Sequence, residues 1–206
     1  MTQRNILKLL IFLISTQFCV VKAYGQAEAG QSIISTVQQA VAITKEATSI
    51  EKATVNPANG THTGLTVKFT LDTNLPDDQC DFLIKSTMNS ETEQVSAFGE
   101  GSILFGHTIV KPTIDAINDA KAGGHSNKNV IAYPLKVTVA EPLTVNAPIG
   151  QGVNDDAYAI KLNGNKGKET ITIEVLRNPI AGTYHIGQDQ AGAYQTVVTF
   201  TAVPKN

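Results

Sequence analysis

The sequence predicts an all-β fold, an antiparallel β-sandwich that carries one short helix. Three observations indicate this class: short segments in which apolar and polar residues alternate, turn-forming residues between those segments, and only one stretch, residues 113–122, whose spacing and end residues together predict a helix. Alternation places the apolar side chains on one face of a sheet, because successive side chains of a strand point to opposite faces. Strands and helices do not alternate along the chain, so a parallel sheet is not predicted.

Residues 1–25 have the layout of a secretory signal peptide. Arg4 and Lys8 accompany an apolar run over residues 7–21, and the small residue Ala23 follows it. The run is short and interrupted by polar residues, so a membrane anchor is the less favoured alternative. We therefore expect the chain to be exported.

Cleavage of this segment would lower the net charge from −2 to −5, because it removes three basic residues and none of the 18 acidic ones. An acidic chain without a basic cluster is a poor candidate for binding nucleic acid. Cleavage would also leave Cys80 as a lone cysteine, which excludes an intramolecular disulfide. We interpret Cys80 as a small buried hydrophobic residue and not as a nucleophile.

Residues 26–55 form an N-terminal extension whose secondary structure the sequence leaves open. Ile34, Val37 and Val41 follow helical spacing. Val37, Val41 and Ile43 also follow strand spacing. The periodicity alone does not choose between a helix and a strand in this extension.

Residues 56–206 are predicted to form the β-sandwich domain. Alternating or short apolar segments predict strands over residues 65–71, 82–84, 103–105, 135–139, 143–145, 158–162, 171–175, 184–186 and 194–203. Turn-forming residues separate them, and the cluster at 163–168 predicts a hairpin between its two neighbouring strands. Many short strands separated by turns are typical of an immunoglobulin-like antiparallel β-sandwich.

The predicted helix begins after Pro112. Thr113 can cap its start, and Asp115 lies in the first turn, where the helix dipole favours an acid. Ile114 and Ile117 are the apolar residues expected to face the core. Because this apolar stripe is narrow, we expect a short crossover helix that lies on the sandwich.

The C-terminal segment has the clearest strand pattern. Tyr194, Val198, Phe200 and Ala202 fall at even spacing, and Gly192 precedes them. This segment resembles the last strand of pilus subunits that bacteria assemble by the chaperone–usher route, which typically end in Gly-x-Tyr followed by an alternating strand. The signal peptide and the absence of Trp agree with the resemblance, whereas the disulfide that many such pilins carry is missing.

The resemblance implies an incomplete immunoglobulin-like domain that borrows a strand from another subunit. A sandwich that lacks one strand exposes an apolar groove and unpaired backbone groups, and an extended segment can fill both. The residues that the resemblance assigns to the donor strand, within 33–45, are Val37, Val41 and Ile43, and those it assigns to the edge of the acceptor groove are Tyr194, Val198 and Phe200. A helix, or the first strand of the chain's own sandwich, remains the alternative for residues 33–45.

The implied function is that of a structural subunit or adhesin of a bacterial surface fibre. Its partners would be other fimbrial subunits, a periplasmic chaperone and an outer-membrane usher, and its location would be the fimbrium at the cell surface. The alternative is a secreted, self-complete β-sandwich that binds carbohydrate or protein. The two alternatives differ in whether the chain needs a segment from another copy.

Enzymatic and metal-binding functions are not predicted. The chain contains no nucleophile elbow, zinc-protease motif, phosphate-binding loop or dinucleotide motif. Its four histidines are widely separated, without the short spacing of structural zinc ligands. The acidic loops at 77–81 and 154–156 do not match the spacing of a calcium-binding EF-hand loop. We therefore expect no catalytic residue, cofactor or metal.

Overall fold

The computed structural model describes residues 40–75, 80–124, 128–139, 143–149, 157–162 and 167–204. The predicted signal peptide and Val37 lie outside these residues. The described elements are β1 (Val41–Lys45), β2 (Leu65–Thr73), β3 (Cys80–Asn89), β4 (Gln94–Ser96), β5 (Phe98–Gly99), β6 (Ser102–His107), α1 (Ile114–Lys121), β7 (Val130–Val139), β8 (Leu143–Ile149), β9 (Ala157–Leu162), β10 (Gly167–Val175), β11 (Tyr194–Gln195) and β12 (Val197–Pro204).

The strands form two antiparallel sheets, which confirms the predicted all-β sandwich with one short helix. The larger sheet has the order β1-β2-β10-β7-β6-β11, and β5 also pairs with β6. The smaller sheet has the order β12-β3-β9-β8, and β4 also pairs with β3. In the described part of the chain, no helix is long and apolar enough to span a membrane.

The main core lies between the two sheets. Both sheets contribute buried residues to one cluster, including Phe69 and Ile171 from the larger sheet and Phe82 and Ile84 from the smaller one. The Phe200 ring of β12 lies 5.7 Å from the Phe69 ring and 6.4 Å from the Phe82 ring, measured between centroids. Phe200 thus connects the last strand to both layers.

A second core lies between α1 and the outer face of the larger sheet. Thr113 caps α1 by accepting a hydrogen bond from the Ala116 N–H at 3.1 Å, as predicted. The buried residues of α1 are Ile117 and Ala120, whereas Ile114 is only half-buried. The predicted core stripe is therefore right for Ile117, and its second member is Ala120.

β6 and β7 are buried on both faces because they lie between the two cores. In β6, Ile103 faces the main core and its neighbour Leu104 faces the helix. In β7, Ile131 and Val130 divide in the same way. A strand that is buried on both sides has a continuous apolar sequence, and periodicity of two does not detect it.

This burial accounts for a correction at β7, which the sequence predicted to start at Pro134. The strand starts at Val130, and Pro134 lies in its middle. Residues 130–134 pair with β6, and residues 135–139 pair with β10. The proline therefore lies where the strand exchanges one neighbour for another, a place where a missing N–H is tolerated.

Three further predictions are wrong, and two of them concern passages between sheets. Residues 158–162 and 171–175 do not form a hairpin, because β9 belongs to the smaller sheet and β10 to the larger. The final strand is divided at Thr196 into β11 and β12, which also lie in different sheets. Residues 184–186 form no strand: 184 and 185 are irregular and 186 enters a turn, between Gly182 and Gly187, whose positive φ angles of 86° and 83° break an extended run.

Candidate strand-exchange site

Six of the described strands follow the order of an immunoglobulin domain, and further strands extend the larger sheet beyond β7 and the smaller sheet beyond β3. In constant-type domains one sheet has the order A-B-E-D, and the other contains C, F and G. The corresponding strands here are β1, β2, β10 and β7 in the larger sheet and β3 and β12 in the smaller. β12 thus corresponds to F, and G would pair with its other edge. Among the described residues, no strand pairs with that edge.

The free edge of β12 borders an apolar surface. The inward residues of the strand are Val198 and Ala202, which are half-buried, and Phe200, which is 7% exposed. On the opposite face, Val197 and Val203 are 45% and 41% exposed. An unpaired edge presents free backbone donors and acceptors, and here they adjoin side chains that another strand would cover.

β1 lies across from β12 and forms the corresponding edge of the larger sheet. It pairs with β2, with Val41 opposite Thr73 and Lys45 opposite Phe69. Some Cα atoms of β1 and β12 lie within 8 Å of each other. We use the term seam for the margin formed by β1 and β12, where the two sheets end side by side.

The structure places two of the three predicted donor residues in the chain's own sheet. Val41 and Ile43 lie in β1, are half-buried and pack against the main core. Val37 lies outside the described residues. In this single chain, residues 41–45 therefore adopt the arrangement that the sequence left open as an alternative, the first strand of the same sandwich.

The predicted groove residues divide between the two sheets. Val198 and Phe200 share the inward face of β12, whereas Tyr194 lies in β11, which pairs with β6. The Tyr194 hydroxyl donates to the Gln190 carbonyl at 2.9 Å. Burial, followed by the nearby Asp189 charge, raises the pKa of Tyr194 above its usual value. Its role in this chain is to anchor the segment that precedes β12.

The Gly-x-Tyr pattern has a packing reason. The Tyr194 ring meets the buried His107 ring edge-on, with 5.1 Å between centroids. A Cβ atom on Gly192 would lie 2.4 Å from Nε2 of the same histidine. The His107 Nδ1 atom accepts hydrogen bonds from the N–H groups of Ile109 and Val110. The histidine therefore requires a glycine beside it, and the sequence pattern alone did not reveal this contact.

Thr196 fixes the passage from the larger sheet to the smaller. Its hydroxyl donates to the Thr87 carbonyl at 3.0 Å and lies 2.8 Å from the hydroxyl of the buried Ser86. These bonds attach the start of β12 to β3. Tyr194 and Val198 fall in the same even series, although Thr196 between them is polar, and the sequence therefore predicted one strand.

The inward side of the seam is apolar in the part of the chain that the structure describes. Its buried and half-buried residues are aliphatic or aromatic, and Lys45 at the end of β1 forms an exposed ion pair with Glu51 at 2.7 Å. In the ranges that the structure describes, no three His, Cys, Asp or Glu side chains are grouped as metal ligands would be. Backbone pairing and apolar contact are what this surface offers to a partner.

No family model matches the chain, and no curated protein matches it in sequence. The observations that bear on function are therefore the order of the strands, the free edge of β12 and the apolar seam beside it.

Proposed function

We propose that this protein is a structural subunit or adhesin of a bacterial surface fibre whose copies are joined by strand exchange. An extended segment from another copy pairs with the free edge of β12 and fills the position of strand G. The observation that carries the proposal is that, among the described residues, no strand pairs with the outer edge of β12, beside Val198 and Phe200.

The added strand gains free energy in two ways. Its backbone bonds to β12, and each such hydrogen bond contributes about 0.5–1.5 kcal/mol. Its alternate side chains enter the seam and cover the half-exposed Val198 and Ala202 of β12. Each aliphatic side chain that becomes fully buried contributes about 1.5–3 kcal/mol. Three such side chains and a few backbone bonds together reach on the order of 5–10 kcal/mol before the ordering of the donor is subtracted.

The same surface explains why such a subunit needs help before assembly. An exposed, apolar strand edge promotes uncontrolled pairing between chains. A periplasmic chaperone that covers β12 prevents this pairing, and an outer-membrane usher then brings subunits together. In this proposal the chain is exported and resides in a fimbrium at the cell surface.

A second candidate function is a self-complete secreted module that binds carbohydrate or protein. The observation that favours it is the pairing of β1 with β2 in the same chain. Because Val41 and Ile43 already contact their own core, the chain supplies part of its own seam. Under this alternative, β12 stays an ordinary edge strand.

Sedimentation velocity of the purified full chain distinguishes the two functions. A fibre subunit forms polymers whose size grows with concentration, and a peptide of residues 30–47 in excess caps growth by occupying the free edge of β12. A control peptide with aspartate at positions 37, 41 and 43 leaves polymerisation unchanged, because a charged side chain cannot enter the seam. A chain that stays a stable monomer at every concentration, with and without the peptide, would contradict the fibre proposal.

A further inference from the structure

A surface depression of about 390 Å³ lies at one end of the larger sheet. It is formed by the turn that precedes β2 and the turn that follows β10, two segments more than a hundred residues apart. Its lining includes Asn59, Thr61, Asn178, Ile180, Ala181 and Tyr184. No strand of the seam lines it, so it is separate from the strand-exchange site.

The first wall is the turn at residues 56–61, whose backbone carbonyls accept hydrogen bonds from two tyrosine hydroxyls. The Tyr133 hydroxyl donates to the Gly60 carbonyl and the Tyr184 hydroxyl to the Pro57 carbonyl, each at 2.6 Å. Gly60 has a φ of 72°, and a Cβ atom on it would lie 2.6 Å from the Tyr184 ring. The backbone of the turn therefore packs directly on the ring, which fixes the orientation of Tyr184.

The second wall, residues 178–182, is attached to the core through Thr183. This residue is fully buried, and its hydroxyl donates to the Ile180 carbonyl at 2.8 Å. The Thr183 hydroxyl also accepts from the Ala132 N–H at 3.2 Å, and the Ile180 N–H donates to the Ala132 carbonyl at 2.7 Å. Both walls are thus formed before any ligand arrives, which reduces the entropy that binding costs.

The lining combines neutral polar side chains with apolar ones, which are those of Pro179, Ile180, Ala181 and Tyr184. Among the described residues that form it, none is charged. The Asn59 side-chain oxygen accepts from the N–H and the hydroxyl of Thr61, at 3.1 and 2.9 Å. The amide nitrogen of Asn59 is then left to donate toward a ligand, and the exposed Asn178 amide offers both a donor and an acceptor.

We propose that this depression binds an uncharged saccharide. Sugar hydroxyl groups pair with asparagine amides and a threonine hydroxyl, and the apolar C–H face of a sugar ring packs on the apolar side chains of the lining. A charged ligand would find no opposite charge in this lining. An extended peptide would find side chains and turns where it needs a free strand edge. The proposal does not depend on strand exchange, because the two sites share no element.

Saturation-transfer NMR on the full chain tests the proposal and works for a monomer and a polymer alike. The probes are the methyl glycosides of glucose, galactose, mannose and N-acetylglucosamine, with glucuronic acid as the charged comparison. We expect transfer to at least one neutral probe and none to glucuronic acid. Asn178→Ala should weaken binding about threefold to tenfold, the usual effect of one lost hydrogen bond.

A blocking variant locates the site. Ala181→Arg places a long side chain in the depression and should abolish transfer, whereas Ala191→Arg, at an exposed alanine outside the lining, should preserve it. Circular dichroism of all three variants confirms that they fold. The absence of transfer to every neutral probe, or equal transfer in the two arginine variants, would overturn the proposal.

Discussion

The sandwich has two margins that differ in how completely the chain covers them. At the helix margin, formed by α1 against β6 and β7, Leu104 is 0% and Ile117 1% exposed. At the seam, Val41 and Val198 pack on the core but stay half-exposed. Within the described residues, the chain therefore covers the outer face of β6 and β7 with its own helix and leaves the seam incompletely covered. We infer that the seam is where a segment from another copy contributes stability.

The largest expected difference between the margins comes from matched isoleucine truncations. Ile117→Ala should lower the free energy of unfolding by about 2–5 kcal/mol, because it creates a cavity in a fully buried cluster. Ile43→Ala should cost about 1 kcal/mol in the monomer, because its side chain is already partly in water. Urea denaturation measures both variants. Equal losses would contradict the difference between the margins.

Thr196→Val tests the point at which the chain crosses from the larger sheet to the smaller, between β11 and β12. Thr196→Val should cost about 1–3 kcal/mol, because it leaves the buried Ser86 hydroxyl and the Thr87 carbonyl without their partner. Thr199→Val, at an exposed position of β12, is the matched control and should change stability by less than about 0.5 kcal/mol. If the free energy of unfolding falls equally in both variants, the hydrogen bonds of Thr196 do not hold the start of β12 against β3.

Acid should destabilise the well-packed part of the molecule through His62. The side chain is buried, and burial lowers its pKa below 6.5, against the opposing effect of its hydrogen bond to the Leu176 carbonyl. The folded state binds a proton on His62 less readily than the unfolded state does. The contribution of neutral His62 to the stability of the fold is therefore present above pH 6.5 and is lost as the pH falls below it.

The expected slope from His62 is at most about 1.4 kcal/mol per pH unit. Urea denaturation between pH 7.5 and 5 measures it in the wild type and in His62→Gln. The glutamine variant should show a shallower decline. An unchanged decline in that variant would exclude His62 as the cause.

The smallest expected losses of stability also differ between the helix margin and the seam. Thr113→Ala removes the N-cap of α1 and should cost about 1 kcal/mol. Lys45→Ala removes an ion pair at the end of β1, both of whose side chains are about half-exposed, and should cost less than about 0.5 kcal/mol. Thermal unfolding measures the stability of both variants. A larger loss of stability in Lys45→Ala than in Thr113→Ala would contradict the expected order.

The sequence predicted the class of the fold because alternation reports which faces of a strand are buried. It could not assign strands to sheets, because a strand has the same pattern in either layer. The two misplaced connections, after β9 and at Thr196, are both passages between layers. The start of β7 was missed for a related reason, since burial on both faces removes alternation.

The candidate site was predicted only in part. Val198 and Phe200 share the inward face of β12, because even spacing within a single strand fixes a common face. Tyr194 follows the same spacing but lies beyond the passage at Thr196, in the other sheet. The depression beside Tyr184 joins turns distant in sequence, and no local pattern predicts such a meeting.

Hydrogen–deuterium exchange of β12 tests strand exchange most directly. In the unassembled chain, the β12 amide groups that do not bond to β3 should exchange quickly, and in the assembled protein they should become protected. The amide groups of β3 serve as the internal control, because residues Phe82–Lys85 pair with β12 on one side and β9 on the other. Unchanged exchange in β12 between the two states would contradict the account.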